Sequence, residues 1–200
     1  MKTRRLKIII GIIGILVVLV SAAVCYLSRP KTHYEFVSNA VVIQPKMTAD
    51  LTPDRTECIY LLRKNHSLQK EPGVSLIIDF YSPGSLRRTD AAEYSRLTIS
   101  IRNPEVNHPY NVSRGDLQVY YSSGGAAGGK GCAGNYANTA RGSIILKSIE
   151  ENKIDAKIEI HGKATHTLRP GAEEYFLFVG DYTFWTSSID AVNRWAGKWE

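Results

Sequence analysis

The chain has few of the side chains that form metal centres. It contains three cysteines and five histidines in 200 residues, and no cysteine belongs to a Cys-x-x-Cys or Cys-x-His pattern. His161 and His166 are five positions apart, so on one strand they point to opposite faces and do not bind the same ion. The sequence therefore predicts no metal site and no other cofactor.

The motifs of common catalytic sites are missing as well. The chain has no Gly-x-Ser-x-Gly, no His-Glu-x-x-His and no Cys-His signature. The remaining acid–base candidates are Asp79, which lies within an apolar strand, and the histidines His108 and His166. Alternation places Asp79 on the face opposite Leu76 and Ile78, which favours a solvent-facing or salt-bridged carboxylate.

A short match to a phosphate-binding loop does not indicate nucleotide binding. Gly124-x-x-x-x-Gly129-Lys130 fits the first seven positions, but Gly131 stands where Ser or Thr would bind magnesium. No helical pattern follows whose N-terminus would face the phosphates. We therefore expect no bound nucleotide, and residues 122–135 are predicted to form a flexible Gly-rich loop that can carry recognition.

Acidic residues are absent from the first 31 positions, which carry six Lys or Arg. The other 169 residues have 19 basic and 19 acidic side chains, so this segment alone accounts for the net charge of +6. Such a distribution does not indicate a nucleic-acid-binding domain. Residues 8–27 carry no charge, and as a helix they would span about 30 Å, the thickness of a bilayer core.

The charges that flank this run predict its orientation. Four basic residues precede it and two follow it, which favours a signal anchor whose N-terminus stays in the cytoplasm. We then expect residues 1–7 to be cytoplasmic, 8–27 to span the inner membrane once, 28–32 to form a tether, and 33–200 to be periplasmic or extracellular.

Two alternatives for this segment stay open, and both also export the rest of the chain. The small residues Ser21-Ala22-Ala23 suit cleavage of a signal peptide, and Cys25 is a candidate for lipidation. In an oxidising compartment, the two remaining cysteines, Cys58 and Cys132, predict a disulfide.

The exported part is typical of an all-β domain. Short apolar or alternating runs end at Gly, Pro or Asn, as strands do, at residues 33–43, 74–81, 94–101, 116–121, 142–148, 153–160 and 174–180. The last of these runs is apolar on both faces and predicts a central strand. Such strands favour a sandwich or a barrel. We expect a sandwich-like β domain with one or two short helices, preceded by a single transmembrane helix.

Helices are predicted in only two places of this domain. Residues 53–64 fit a helix with Pro53 in its first turn, but the same region fits a strand equally well. Near the end of the sequence, apolar residues at helical spacing follow Ser188, which is a good N-cap.

Aromatic and basic side chains are the candidate binding residues. All three tryptophans lie in the last 16 residues, where they can stack on a sugar, anchor a protein partner or belong to the core. Arg96 and Arg102 share one strand face, which is either solvated or contacts an acidic ligand or membrane surface. With two loop residues, the candidates are Lys130, Tyr136, Arg96, Arg102, Trp185, Trp195 and Trp199.

These features favour a non-enzymatic protein of the cell envelope. The leading hypothesis is a membrane-anchored β domain with a binding or accessory role toward a protein partner, as an inhibitor or immunity-type protein or as a subunit of an envelope complex. The alternative is an envelope hydrolase or transferase that acts on glycan or lipid. A concave pocket with a perturbed acid or histidine would favour the enzyme, whereas an open edge strand or a large apolar patch would favour a structural subunit.

Overall fold

Strands make up most of this computed structural model, which describes residues 2–27, 29–42, 68–82, 93–125, 133–135, 140–166 and 173–193. Its helices are α1 (Lys2–Leu27) and α2 (Ile189–Asn193). Its strands are β1 (Lys31–Val42), β2 (Leu68–Ser82), β3 (Glu93–Ile101), β4 (Pro109–Asn111), β5 (Leu117–Gly125), β6 (Ala133–Asn135), β7 (Arg141–Ile149), β8 (Lys153–His166) and β9 (Glu173–Thr186). The prediction of a mostly-β domain is confirmed.

Helix α1 contains the uncharged run that was predicted to cross a membrane. Its described side chains, from Ile12 to Tyr26, are exposed except for the half-buried Val24. In the described part of the chain, no helix has both the length and the apolar character that a membrane crossing requires. β1 begins at Lys31 and not at His33, so the end of the predicted tether belongs to the sheet.

The strands form two antiparallel halves whose edges are joined. One half has the order β1-β2-β3-β5 and the other has the order β4-β7-β8-β9. On one side the short β6 connects β5 to β8. On the other side β9 meets β1 in parallel at two register pairs, Glu35 with Trp185 and Phe36 with Thr186. Because both edges meet, the sheet is a nearly closed barrel where an open sandwich was expected.

The main core lies between the two halves, where their inward faces meet. Alternation is the cause, since every second residue of a strand points to the same side. Leu97, Ile99 and Ile101 of one half are 0% exposed, and so are Ile154 and Ile158 of the other. Burial of each such side chain stabilises the fold by about 1.5–3 kcal/mol.

A second and smaller apolar cluster lies on the outer face of the β1-β2-β3-β5 half. Helix α2 covers it, and Val192 of this helix is 1% exposed and packs with Val37 and Ile77. The Ser188 hydroxyl accepts the N–H of Ala191 at 3.1 Å, which confirms the predicted N-cap. This half of the sheet is therefore buried on both faces.

Part of the predicted loop 122–135 belongs to the sheet. β5 continues to Gly125, and β6 pairs with it through Ser123 and Ala133. The pairing gives the backbone groups hydrogen-bond partners, and this outweighs the low strand preference of glycine. Residues 126–132 and 53–64 lie outside the described residues, so what was expected of them stays a prediction.

Candidate interaction surface

Arg96 on β3 lies directly opposite Asp79 on β2, and both are 1% exposed. The Arg96 Nε donates to Asp79 Oδ1 at 2.5 Å, and Nη2 donates to Oδ2 at 2.6 Å. The third group, Nη1, donates to the carbonyl oxygen of Val192 at 2.9 Å. The planar guanidinium thus joins two strands and ties α2 to the outer face of the sheet.

This geometry favours a structural role for Arg96 over the ligand-binding role that was predicted. Its neighbours on the same face, Thr98 and Ser100, are 0% and 2% exposed, whereas Arg102 beyond the strand end is exposed. For Asp79 the salt-bridged alternative is the one found. Both of its oxygens accept from Arg96, so the carboxylate is held away from any acid–base role.

The serines beside this ion pair are also satisfied internally. The Ser75 hydroxyl donates to the Ala40 carbonyl at 2.9 Å, and its oxygen lies 2.7 Å from that of Ser100. The Ser100 hydroxyl also accepts the N–H of Val42 at 3.1 Å. These bonds hold the irregular end of β1, where Asn39 has a φ of 53° and the register shifts. The outer face of this half is therefore built for packing.

A second polar cluster fixes the start of β9. The Tyr121 hydroxyl donates to Glu174 Oε1 at 3.0 Å, and the Ser123 hydroxyl donates to Oε2. The Tyr121 ring stacks on Phe176, with centroids 4.4 Å apart. Burial and then the negative charge of Glu174 raise the pKa of Tyr121 above its usual value of 10. The phenol therefore stays protonated at neutral pH and remains a donor.

The outward side chains of β8 form a polar column. Asp155 accepts from the Thr183 hydroxyl at 2.7 Å, from Ser148 at 3.0 Å, and from Lys153 Nζ at 3.0 Å. The hydrogen bond from Thr183 and then the one from Lys153 lower the pKa of Asp155 to about 2. Charge on this strand is thus balanced within the same face.

The outward side chains of β9 are different, because most of them are apolar. Tyr175 and Leu177 are each 70% exposed, Val179 is 58% exposed and Trp185 is 57% exposed. We call these four residues the β9 row. Directly opposite them on β8 are Lys163, His161, Glu159 and Lys153. Tyr175, Leu177 and Val179 occupy successive outward positions and form an apolar column one strand wide, with a polar border on β8. Asp181 and Thr183 separate Trp185 from this column.

β9 is also an edge strand for most of its length. Its register with β8 covers residues 173–185, but its register with β1 covers only Trp185 and Thr186. Within the described ranges, no strand pairs with the other edge of residues 173–184. Among those residues, the strand predicted to be central at 174–180 therefore has a paired neighbour, β8, on one side only. The run is apolar on both faces because Phe176 enters the core while the β9 row faces outward.

The other predicted residues that the structure describes do not gather at one place. Trp185 belongs to the β9 row, whereas His108 precedes β4 and its ring contacts Tyr110 at 4.6 Å between centroids. The side chain of His166 is not among those described. Also outside the described residues are Lys130, Tyr136, Trp195, Trp199, Cys58 and Cys132. Their roles and the disulfide stay predictions.

Three members of the β9 row, Tyr175, Leu177 and Val179, were not predicted as site residues. A strand that is apolar on both faces is normally buried on both sides. The run 174–180 was therefore interpreted as a central strand, and these three residues were not considered as a binding surface. The sequence nevertheless indicates that these residues belong together, because they and Trp185 all occupy odd-numbered positions. In a regular strand such residues share one face.

Comparison with protein-family models, with curated proteins and with solved structures finds no match to this chain. Among the described residues, no group of three or more His, Cys, Asp or Glu side chains is arranged to hold a metal ion. Among the described side chains, the β9 row is the feature that the fold itself leaves unexplained.

Proposed function

We propose that this protein is a non-enzymatic accessory subunit of a cell-envelope assembly. Residues 8–27 hold it in the inner membrane, with the N-terminus in the cytoplasm and the β domain in the periplasm or outside. The β9 row is its contact surface for a protein partner. The exposure of this row is the single observation that carries the proposal.

The membrane anchor rests on the sequence. Residues 8–27 carry no charge, and basic residues lie on both sides of them. Eight large apolar side chains between Ile12 and Val20 are 54–66% exposed. Such a surface is unfavourable in water, and a lipid environment removes that cost.

The partner site rests on the contrast between neighbouring strands. The outward residues of β8 are charged or polar and form ion pairs, as a wet sheet face normally does. The outward residues of β9 are apolar over Tyr175, Leu177 and Val179, and Trp185 continues the same face. Aromatic residues at the centre of a patch supply much of the free energy of protein association.

Among the described residues, the outer edge of β9 has no paired strand over residues 173–184, and this favours an assembly subunit over an inhibitor or immunity-type protein. An exposed apolar edge strand tends to pair with another chain, so soluble monomers usually shorten, charge or cover such edges. A protein that works within a complex covers the edge by assembling. Neither Asp79 nor His108 lies in this surface, so no specific observation favours the alternative of an envelope hydrolase or transferase.

The test is site-specific photo-crosslinking of the tagged full-length chain in its own membranes. Besides any adduct between two copies of this chain, a photoreactive residue at Leu177 is expected to give one dominant adduct with a different protein, whereas the same residue at Glu151, in the exposed β7–β8 turn, gives neither. Mass spectrometry of the adduct identifies the partner.

A pair of charge variants separates specific binding from background. Leu177→Lys is expected to reduce capture of that partner at least about tenfold, because loss of a central contact costs about 2 kcal/mol. Glu151→Lys introduces the same side chain elsewhere and should leave capture unchanged. Equal capture by both variants, or turnover of a cell-wall or lipid substrate by the full-length chain, would contradict the proposal.

A further inference from the structure

Among the described residues, no strand pairs with the edge of β9 that faces away from β8 over residues 173–184, and this free edge presents its backbone groups in a defined pattern. The N–H of Ser187 donates to the Phe36 carbonyl of β1 at 2.8 Å, whereas the N–H of Thr186 donates at 3.0 Å to Asn152, on the β8 side. The β8–β9 register has no shift from Trp185 back to Glu173. Because donors alternate along a strand, the odd-numbered residues of β9 point their N–H and C=O groups toward the free edge.

The usual protections of an edge strand are weak along this edge. Residues 175–180 contain no charged residue and no proline. The acidic side chains at the two ends are already engaged, since Glu173 pairs with Lys163 at 2.8 Å and Asp181 pairs with Lys147 at 2.7 Å. An edge of this kind is a template for strand addition.

We propose that the edge is completed by a second copy of this chain. The two β9 strands pair antiparallel around a two-fold axis at Phe178, which joins the β4-β7-β8-β9 halves of two protomers into one continuous sheet. The partner fits because the edge is self-complementary in this register.

The side chains and the length of the pairing together favour this register. With Phe178 at the axis, Leu177 of each copy lies opposite Val179 of the other, Tyr175 lies opposite Asp181, and Glu173 lies opposite Thr183. No like charges face each other. An axis at Leu177 would place Glu173 opposite Asp181, and an axis at Val179 would place Leu177 opposite Asp181. An axis at Gly180 would require Trp185, which already pairs with β1. An axis at Phe176 also avoids like charges, but it pairs only residues 173–179, whereas the axis at Phe178 pairs residues 173–183.

The area of the β9 row adds a reason for a pair that rests on the proposed function. Four side chains that are 57–70% exposed offer on the order of 500 Å², because a large aromatic side chain presents at most about 250 Å². A stable protein–protein contact usually needs about 800 Å² per partner. In the pair, the two apolar columns over Tyr175, Leu177 and Val179 adjoin on the same face of the joined sheet, with one Trp185 toward each end, so the two rows together offer an area of that order.

The dimer is inferred from the geometry of the β9 edge. Only the idea that the two β9 rows together bind a protein partner rests on the proposed function. The dimer and the proposed function can therefore be refuted separately. A dimer that captures no partner would leave this inference intact and remove the proposed function. A partner that binds a strictly monomeric chain would do the reverse.

The first experiment is sedimentation velocity of the full-length chain in density-matched detergent. Val179→Pro removes an N–H that points to the free edge and leaves the β8 ladder intact, so it is expected to be folded and monomeric. Val179→Thr keeps that N–H and the branched shape, and it is expected to remain dimeric like the unchanged protein. A monomeric unchanged protein, or a Val179→Pro variant that dimerises as well as Val179→Thr, would overturn the inference.

Cysteine pairs test the register and remain informative if Val179→Pro fails to fold. Residues opposite each other in an antiparallel pair have Cα atoms about 5.5 Å apart, which a disulfide spans, whereas diagonal positions are about 7–8 Å apart. Leu177→Cys with Val179→Cys should therefore give a covalent dimer on mild oxidation, beyond the level seen for the unchanged chain. Tyr175→Cys with Val179→Cys should not. The opposite result would refute the axis at Phe178.

Discussion

Arg96 and Asp79 form a two-point ion pair across β3 and β2 in which both residues are 1% exposed. In a buried ion pair of this kind, each residue depends on the other for its hydrogen bonds, because water cannot take the place of either partner. Its third hydrogen bond reaches Val192, so the pair sets the position of the last described helix as well as the register of the two strands.

Removal of one member of this pair should be strongly destabilising. We expect Arg96→Leu to lower the free energy of unfolding by about 3–5 kcal/mol, because it leaves the Asp79 carboxylate buried without its partner. Urea unfolding of the full-length chain, followed by tryptophan fluorescence, measures this loss.

Replacement of both members tests whether the loss comes from the orphaned charge. The double variant Asp79→Leu with Arg96→Met is expected to recover most of the stability, because an apolar pair of similar volume replaces the ions. Arg102→Leu, at an exposed position, should have almost no effect. A double variant no more stable than Arg96→Leu would contradict this explanation.

Asp155 should give the protein an acid-dependent part of its stability. The pKa of this carboxyl falls from its usual 3.8 to about 2 in the folded protein, so its contribution is present above pH 3.8 and disappears as the pH falls toward 2. Asp155→Asn is expected to be less stable than the unchanged protein at pH 7, and the difference should shrink between pH 4 and pH 2. Glu151→Gln, an exposed acid in the nearby turn, serves as the control and should show no such convergence.

The Tyr121 hydroxyl should matter more than other tyrosine hydroxyls that contact a glutamate. Tyr121→Phe keeps the stack on Phe176 but deprives Glu174 of a donor, and we expect a loss of about 1–2 kcal/mol in unfolding free energy. Tyr175→Phe removes a hydroxyl that lies 3.3 Å from Glu173 on an exposed side chain, so it should be near neutral. Similar losses in both variants would contradict the role of burial.

The same tyrosine predicts the alkaline behaviour of the protein. Burial raises the pKa of Tyr121 above 10, so its stabilising contribution is complete below pH 10 and is lost as the pH rises above that value. We expect Tyr121→Phe to lose less stability than the unchanged protein between pH 9 and pH 11. Thermal unfolding over that range measures the difference.

Two glycines with positive φ should respond differently to alanine. Gly142 has a φ of 120°, and a Cβ there would overlap the carbonyl oxygen of Glu159 on the paired strand. Gly142→Ala is expected to cost about 3 kcal/mol or more, from strain and overlap together. Gly115 has a φ of 76° with open space around it, so Gly115→Ala should cost only about 1–2 kcal/mol. Equal costs in chemical denaturation would show that overlap is not the cause.

Local pattern predicted most strands and the buried face of several of them. Alternation placed Ile154 and Ile158 correctly in the core because a two-residue period depends only on the strand itself. It did not predict that the opposite face of β3 is buried, since Arg96 and Ser100 are polar and their partners are distant in sequence. Arg96 binds Asp79 and Val192, and Ser100 binds Ser75 and Val42.

The β9 row was missed for the same reason. An apolar run such as 174–180 has the same composition whether it lies in the middle of a sheet or at its edge, and only the neighbouring strands decide which. The short contact of β9 with β1 is a tertiary contact between positions about 150 residues apart in sequence. A local sequence pattern therefore does not predict it.

That contact joins the first strand of the domain to the last, and Phe36 and Phe184 from these strands share one core. The barrel can therefore close only after β9 has been synthesised. Pairings between such distant positions form slowly, because a long loop must be ordered before any contact repays it. Until β9 is present, β1 and β8 each have an edge that lacks this partner, and unpaired strand edges of this kind are where folding intermediates tend to aggregate.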